Sequence, residues 1–337
     1  MSEQHRNSVL FSRLKSILPS NLSLADYLAE LLEISRDSVY RRIKGEKQLS
    51  FNELTRIAIA FNISLDELFN LNEGHVIFHG QFVNSSDFRL ESYLESMLNN
   101  IELINRSDDR ELFYISKDIP VFYYLMFPEI AAFKFFIWTK TQMNFDEMKQ
   151  GKFSFSILTP ALSQLCEKIS SGYTKISGTE ILNADNILND LRQLEYYRET
   201  QMFEDKSDFL LIYERLTQMV KHMELQASLG IKCLPGKEPL PDAGEIKVYV
   251  NDFFVGDNTI IARIDDTRVV YLNHSAINFI STTSIEFVDY SFDFIQNIIK
   301  KSSLISVISE RDRKKFFNLF LERIEEYKLR NIQPLNI

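Results

Sequence analysis

Apolar residues in the first seventy positions recur at three- and four-residue steps, the spacing of a helix with one buried face. Val9, Leu10, Leu14, Ile17 and Leu18 predict a helix over 8–18. Pro19 ends it, because proline has no amide hydrogen to continue the ladder. Ser23 is placed to cap a second helix with the stripe Leu24, Leu28, Leu31 and Leu32, and with Ala29 as a small residue where another helix can approach. After a turn at Glu33 and Ile34, a short third helix covers 36–44. Val39 and Ile43 fall on its packing side, while Asp37, Ser38, Arg41, Arg42 and Lys44 spread over the opposite side. Ser35 can cap its first turn and Gly45 can end it, since the chain often needs positive φ at that point. Ser50 with Glu53, and Ser64 with Glu67, have capping-box spacing. Leu54, Ile57, Ala58 and Phe61 form the stripe between them, and Leu65, Leu68 and Phe69 close a five-helix unit over 1–73.

The pattern changes after Glu73. The stretch 74–86 carries Gly74, His75, His79 and Gly80 and reads as a linker or short strand; the two glycines argue against a helical histidine pair that shares a metal. From 87 to 232 the spacing is mostly helical, with a brief strand at 111–115 before Pro120. Aromatic residues crowd 121–141 and read as core. The stripes Ile187, Leu188, Leu191, Leu194 and Leu216, Met219, Val220, Met223 mark two long helices, which serve either as a dimer surface or as intramolecular core. A proline cluster at 233–244 marks a loop. Beyond it, KVYV, TIIARI and RVVYL have strand length and turn-forming joints. The expected fold is therefore mainly α: a five-helix amino-terminal domain, a central helical regulatory or dimerisation domain, and a small α+β unit over 245–337. In that last unit an antiparallel meander carries helices at 288–301 and 309–329 on one face.

Charge sharpens one stretch. The chain of 337 residues has a net charge of −9. Residues 1–75 hold nine Lys/Arg against ten Asp/Glu, whereas 76–337 hold 29 against 37. A polyanion would be repelled by the larger part, which confines any nucleic-acid contact to the amino-terminal part. Within it, residues 35–47 gather Arg36, Arg41, Arg42, Lys44 and Lys47 against Asp37 and Glu46. Cys166 and Cys233 stand apart with no CxxC, which suggests neither a disulfide framework nor zinc, and a reduced cytoplasmic setting is expected. The apolar run 121–138 is interrupted by Pro128, Glu129 and Lys134, so it is expected to be a buried helix rather than a membrane span. No phosphate-binding glycine loop, HExxH, GxSxG or Cys/His nucleophile arrangement occurs, and the pairs Asp108–Asp109 and Asp265–Asp266 have the setting of turns. No enzyme activity, cofactor or metal is expected.

The run SLADYLAELLEISRDSVYRRIKGEKQLSFNELTRIAIAFNISLDELF, with the helix before it, resembles the phage-repressor-like, Xre-type helix-turn-helix domains over residues 8–70. Ala29, Ile34, Ser35, Val39, Gly45 and the closing ISLDELF carry the likeness. Glu33 stands where that family usually has glycine, and Arg42 where it is commonly apolar, so Ile43 or Tyr40 is expected to supply the packing. The resemblance implies a transcription regulator that binds double-stranded DNA with the helix 36–44 in the major groove. It implies that Arg36, Asp37, Ser38 and Arg41 face bases, and that Arg42, Lys44 and Lys47 meet phosphates. A homodimer is expected, because one short helix reads only a few base pairs. The aromatic 121–141 region and the flank of the meander are candidate effector sites. The alternatives are a protein-interaction scaffold built on the same fold, or an enzyme that carries it.

Overall fold

The computed structural model describes residues 3–18, 22–61, 63–69, 76–80, 89–142, 151–253, 256–275 and 278–332. It divides into two compact units, 1–77 and 78–337.

In the first unit, α1 (Glu3–Ile17), α2 (Leu24–Leu32), α3 (Arg36–Ile43), α4 (Phe51–Ala60) and α5 (Leu65–Phe69) follow one another. The expected stripes close on one small core: Leu10, Phe11 and Leu14 of α1, Ala25, Leu28 and Leu32 of α2, Val39 of α3 and Ile57 of α4. The first helix begins at Glu3 rather than at residue 8. The Ser50–Glu53 capping box is formed, while the side chain of Glu67, and with it the second box, lies outside the described residues.

The second unit overturns the expected division into a helical domain and a separate meander. Its seven strands are β1 (Arg110–Ile115), β2 (Ser177–Leu182), β3 (Ile246–Val250), β4 (Thr259–Ile264), β5 (Thr267–Ser275), β6 (Asn278–Thr282) and β7 (Ser303–Leu304). They form a single mixed sheet in the order β6-β5-β4-β1-β2-β3-β7. β1, β2 and β3 are parallel. The antiparallel run β4-β5-β6 is there, but it joins that parallel core through β1, with Phe113 opposite Ile261. Parallel neighbours need long crossovers. The helices of the middle region supply them: α7 (Val121–Leu125), α8 (Pro128–Ile137) and α9 (Pro160–Tyr173) between β1 and β2, then α10 (Leu188–Glu199) and α11 (Asp208–Leu229) between β2 and β3.

Strand side chains alternate between two layers. Leu112, Tyr114, Leu182, Ile260 and Ala262 belong to the main core with α6 (Leu90–Asn105), the crossover helices and α13 (Glu310–Ile332). Phe113, Ile115, Ile181 and Ile261 point the other way and pack on Val288, Ile295 and Ile298 of α12 (Ile285–Lys300). The two carboxyl-terminal helices therefore cover opposite faces of the sheet, where one shared face was expected. The stripes of α10 and α11 pack into the main core, so of their two readings the intramolecular one describes this chain.

β2 was hidden in the sequence because SGTEIL does not alternate as a strand should. Its Glu180 is buried at the middle of the sheet and accepts hydrogen bonds from Tyr123 Oη at 3.1 Å and from Tyr173 Oη. Burial raises the carboxyl pKa above its ordinary value, against the opposing pull of Lys232 and the two tyrosines. Lys232 is equally buried, with its Nζ 3.5 Å from the Tyr173 ring centroid. Desolvation brings its pKa down to about 7, although Glu180 and Glu111 favour the charged form.

The apolar run 121–138 is two buried helices broken at Met126 and Phe127. Its charges are accounted for inside the protein: Glu129 meets Arg215 at 2.9 Å, and Lys134 pairs with Asp190. Among the described residues no helix is long and apolar enough to cross a membrane. The proline cluster forms the loop from α11 to β3, and Gly244 lets it lie against the approach to β2. A Cβ at Gly244 would stand 2.4 Å from the Ile176 carbonyl carbon and 2.5 Å from the Ser177 nitrogen. The glycine cannot retreat, because its N–H donates to Thr174 O at 2.8 Å and its carbonyl accepts from Lys232 N at 2.9 Å. Gly244→Ala should therefore cost about 2–3 kcal/mol through overpacking, seen as a lower denaturation midpoint for the larger unit.

Candidate nucleic-acid interface

The turn between α2 and α3 sets the direction of the cationic helix. Ile34 N–H donates to Ala29 O at 3.0 Å and Glu33 N–H to Glu30 O at 3.3 Å, the paired bonds that end a helix through a left-handed residue. That residue is Glu33, at φ 57° and ψ 43°. A glutamate there bears a strain that glycine would not, and its carboxylate meets Arg56 at 2.8 Å. Two residues later Ser35 caps α3, its Oγ accepting from Ser38 N at 3.3 Å. The far end repeats the device with the expected glycine: Gly45, at φ 78°, follows α3, and Glu46 N–H reaches back to Arg41 O at 2.8 Å.

Between these caps the outward stripe is Asp37, Tyr40, Arg41 and Lys44, one side of a helix at steps of three and four. Arg36 and Lys47 are exposed at either end. Neither arginine of this face stands alone: Arg36 pairs with Asp26, and Arg41 Nε lies 3.8 Å from Glu46. Both pairs are solvent-exposed, the kind that contributes little and exchanges partners at low cost. Ser38 is half-buried, and its hydroxyl accepts from that of Ser35 at 3.0 Å. Beside the stripe, a cleft of about 680 Å³ between α1, the start of α2 and the end of α3 is lined by Ser8, Ser12, Lys15, Ser23 and Lys44 among others.

Arg42 departs from the expected arrangement. Placed on the outer side by the helical wheel and assigned to phosphate, it is 4% exposed and faces α4. Its Nη2 and Nε meet the two carboxylate oxygens of Glu53 at 2.5 and 3.2 Å, while Nη1 donates to Ser38 O at 3.0 Å. Burial alone would raise the Glu53 pKa, but the Arg42 hydrogen bond, the Ser50 backbone N–H and the Arg42 charge outweigh it and hold the carboxyl below its ordinary value. Glu53 thus works twice, capping α4 through Ser50 N at 2.8 Å and fixing α3 to α4. An arginine fork that meets both oxygens of a carboxylate can take an apolar place in a core. Ile43 packs at the edge of the same core, whereas Tyr40 is 50% exposed.

Two aromatic residues of this domain are exposed. Tyr40 lies within the stripe, and Phe51, the first residue of α4, is 80% exposed. Tyr40 was legible in principle, since residues 37, 40, 41 and 44 share one helical side. Phe51 was not, because its exposure depends on how α4 meets the core.

Residues 18–68 match the model of the helix-turn-helix family. This stretch is an Xre-like helix-turn-helix domain. The match supports a DNA-binding regulator of the Xre type and covers α2 to α4 with the turns between them. Comparisons with curated proteins and with solved structures return no match.

Asp109 and Asp265 are structural: Asp109 pairs with Arg263, and Asp265 accepts from Ser107 Oγ at 2.5 Å. Among the described residues no group of three or more His, Cys, Asp or Glu could hold a metal ion. His75 lies outside the described residues; His79 forms a backbone bridge with Ser281. Cys166 and Cys233 are buried free thiols.

Removing Glu53 strands a buried guanidinium, which costs about 3–5 kcal/mol, whereas replacing both partners by uncharged groups costs less. Glu53→Ala should therefore accelerate hydrogen exchange in α3 and α4 of the full-length protein far more than Arg42→Met with Glu53→Gln combined. The pKa direction fixes the sign of the acid response. A lowered folded pKa means stability fully present above the ordinary glutamate value and lost as pH falls through the lowered one. Urea denaturation from pH 6 to 3 should show a steeper acid loss in the wild type than in the double variant.

Proposed function

We propose that this protein is a sequence-specific DNA-binding transcription regulator that acts as a homodimer, with α3 entering the major groove and the unit 78–337 serving dimerisation and effector response. The observation that carries the reading is the double-capped α3 with its outward stripe, inside a segment that matches the helix-turn-helix model. In this arrangement Arg36, Asp37 and Arg41 face base edges, Ser38 serves chiefly to set the first turn, and Lys44 and Lys47 meet phosphates. Arg42 is assigned to the frame and not to DNA. Arginine suits the reading position because its fork can hold guanine O6 and N7 together. Two copies supply the specificity that one eight-residue helix lacks, through half-sites about 34 Å apart.

A second reading has its own support. Exposed Tyr40 and Phe51, together with arginines already paired to Asp26 and Glu46, favour a protein-docking face on the same domain. Salt separates the two, because counterion release makes DNA affinity fall steeply with ionic strength.

Quantitative binding to DNA selected from a random library gives the test. Arg41→Ala should lose about 1–3 kcal/mol of discrimination at one base position. Lys47→Ala should weaken all sequences alike and flatten the logarithmic salt slope by about 0.9 for its one phosphate. Wild-type affinity and salt slope in both variants would remove α3 from the groove and leave the protein-docking reading.

A further inference from the structure

A pocket of about 300 Å³ opens at the carboxyl end of β1 in the larger unit, bounded by the residues after β1, by α10, by the residues just before β4 and by the end of β5. In open sheets with parallel strands, ligands are commonly received outside the carboxyl ends of the strands. Its lining joins aromatic residues of the 121–141 region, among them Tyr124 and Trp138, to Asn273 and Phe279 of the β5–β6 arm. The two stretches are far apart in the chain.

Three features distinguish this pocket from a packing defect. Trp138, which lines it, is the first residue of a π-helical turn, a rare geometry that tends to mark functional sites. Lys134 brings a buried ammonium to the pocket, held by Asp190, by Gln193 Oε1 at 2.9 Å and by the face of Tyr124 at 4.5 Å. Asn273 Oδ1 is buried at the pocket without a hydrogen-bond partner, a state that costs free energy unless something donates to it.

The charges narrow the ligand. Lys117 is spent on Asp257 at 2.7 Å and Lys134 on Asp190. Asp118 is left with an amide, Asn189 Nδ2 at 3.1 Å, and with no cation in ion-pair contact among the described residues. Asp118 and Asn273 therefore ask for donors, and the one carboxylate at the wall without a counter-ion, Asp118, disfavours a phosphate. The volume, at the small end of ligand pockets, suits one substituted six-membered ring. Phe279, the half-buried aromatic residue of the wall, can meet ring C–H groups.

We propose that this pocket binds a monosaccharide or amino sugar without a phosphate, whose hydroxyl or amino groups donate to Asp118 and Asn273 and whose C–H groups meet Phe279. The binding claim rests on the larger unit alone; its meaning as an effector signal rests on the regulator reading above. Trp138 is the sole tryptophan of the chain, so fluorescence excited at 295 nm reports from the pocket wall. The full-length protein is titrated with D-glucose, D-galactose, D-glucosamine and D-glucose 6-phosphate. At least one of the first three should change Trp138 emission saturably, the phosphorylated sugar should bind at least tenfold more weakly, and Asp118→Leu should weaken binding at least tenfold. Asn273→Leu is the second variant, and circular dichroism checks both for folding. No saturable change with the three unphosphorylated sugars, equal binding by both variants, or tighter binding of glucose 6-phosphate overturns the proposal. Operator affinity measured with and without the bound sugar is a separate arm: its failure would count against effector regulation and leave the site standing.

Discussion

A charged group taken out of water must find its partner inside the protein, and two buried ion pairs among the described residues show how this chain meets that demand. In the small unit Arg42 enters the core and is met by Glu53; in the larger unit Lys134 is met by Asp190, whereas the buried Lys232 has the face of Tyr173 and no ion pair among the described residues, so desolvation lowers its pKa. Each solution fixes elements that apolar packing alone would leave free to slide. Arg42 and Glu53 set α3 against α4, so the orientation of the outward stripe follows from a contact on the opposite side of the helix. Lys134 and Asp190 join α8 to α10, while the Lys232 ammonium on the face of Tyr173 holds the loop after α11 against α9. Breaking such a pair is far more damaging than never having had it, which makes these positions stricter than their neighbours.

The same demand connects fold to function. A groove-facing helix needs a rigid frame and an adaptable face. The frame is supplied by Ser35, Gly45 and the Arg42–Glu53 fork, all turned toward backbone or core. The face is supplied by residues whose ion pairs are exposed and therefore weak, Arg36 with Asp26 and Arg41 with Glu46. In the larger unit the buried Lys134 both ties two crossover helices together and lines the pocket at the sheet edge. A mixed sheet puts that edge within reach of both the parallel crossovers and the β5–β6 arm, which is how residues 134 and 273 come to share a wall.

What the sequence determined by itself was local. Helix spacing, the caps at Ser23, Ser35 and Ser50, and the glycine at 45 were legible because each acts within a few residues of backbone; so were the strands at 111–115, 259–264 and 268–272, which are apolar enough to declare themselves. Periodicity places Asp37, Arg41 and Lys44 on the outward stripe of α3, whereas Tyr40, a packing candidate in the sequence, is exposed in the fold. Tertiary structure alone decided where the charges went. Arg42 was assigned to solvent because a wheel knows polarity but not partners, and Glu53 stands eleven positions away on another helix. β2 escaped for the same reason, since SGTEIL is polar until Tyr123, Tyr173 and Lys232 gather around Glu180. The joining of meander and helical region into one sheet was equally beyond local reading: the pairing of β1 with β4 links residues about 150 positions apart, and no periodicity within either strand records its neighbour.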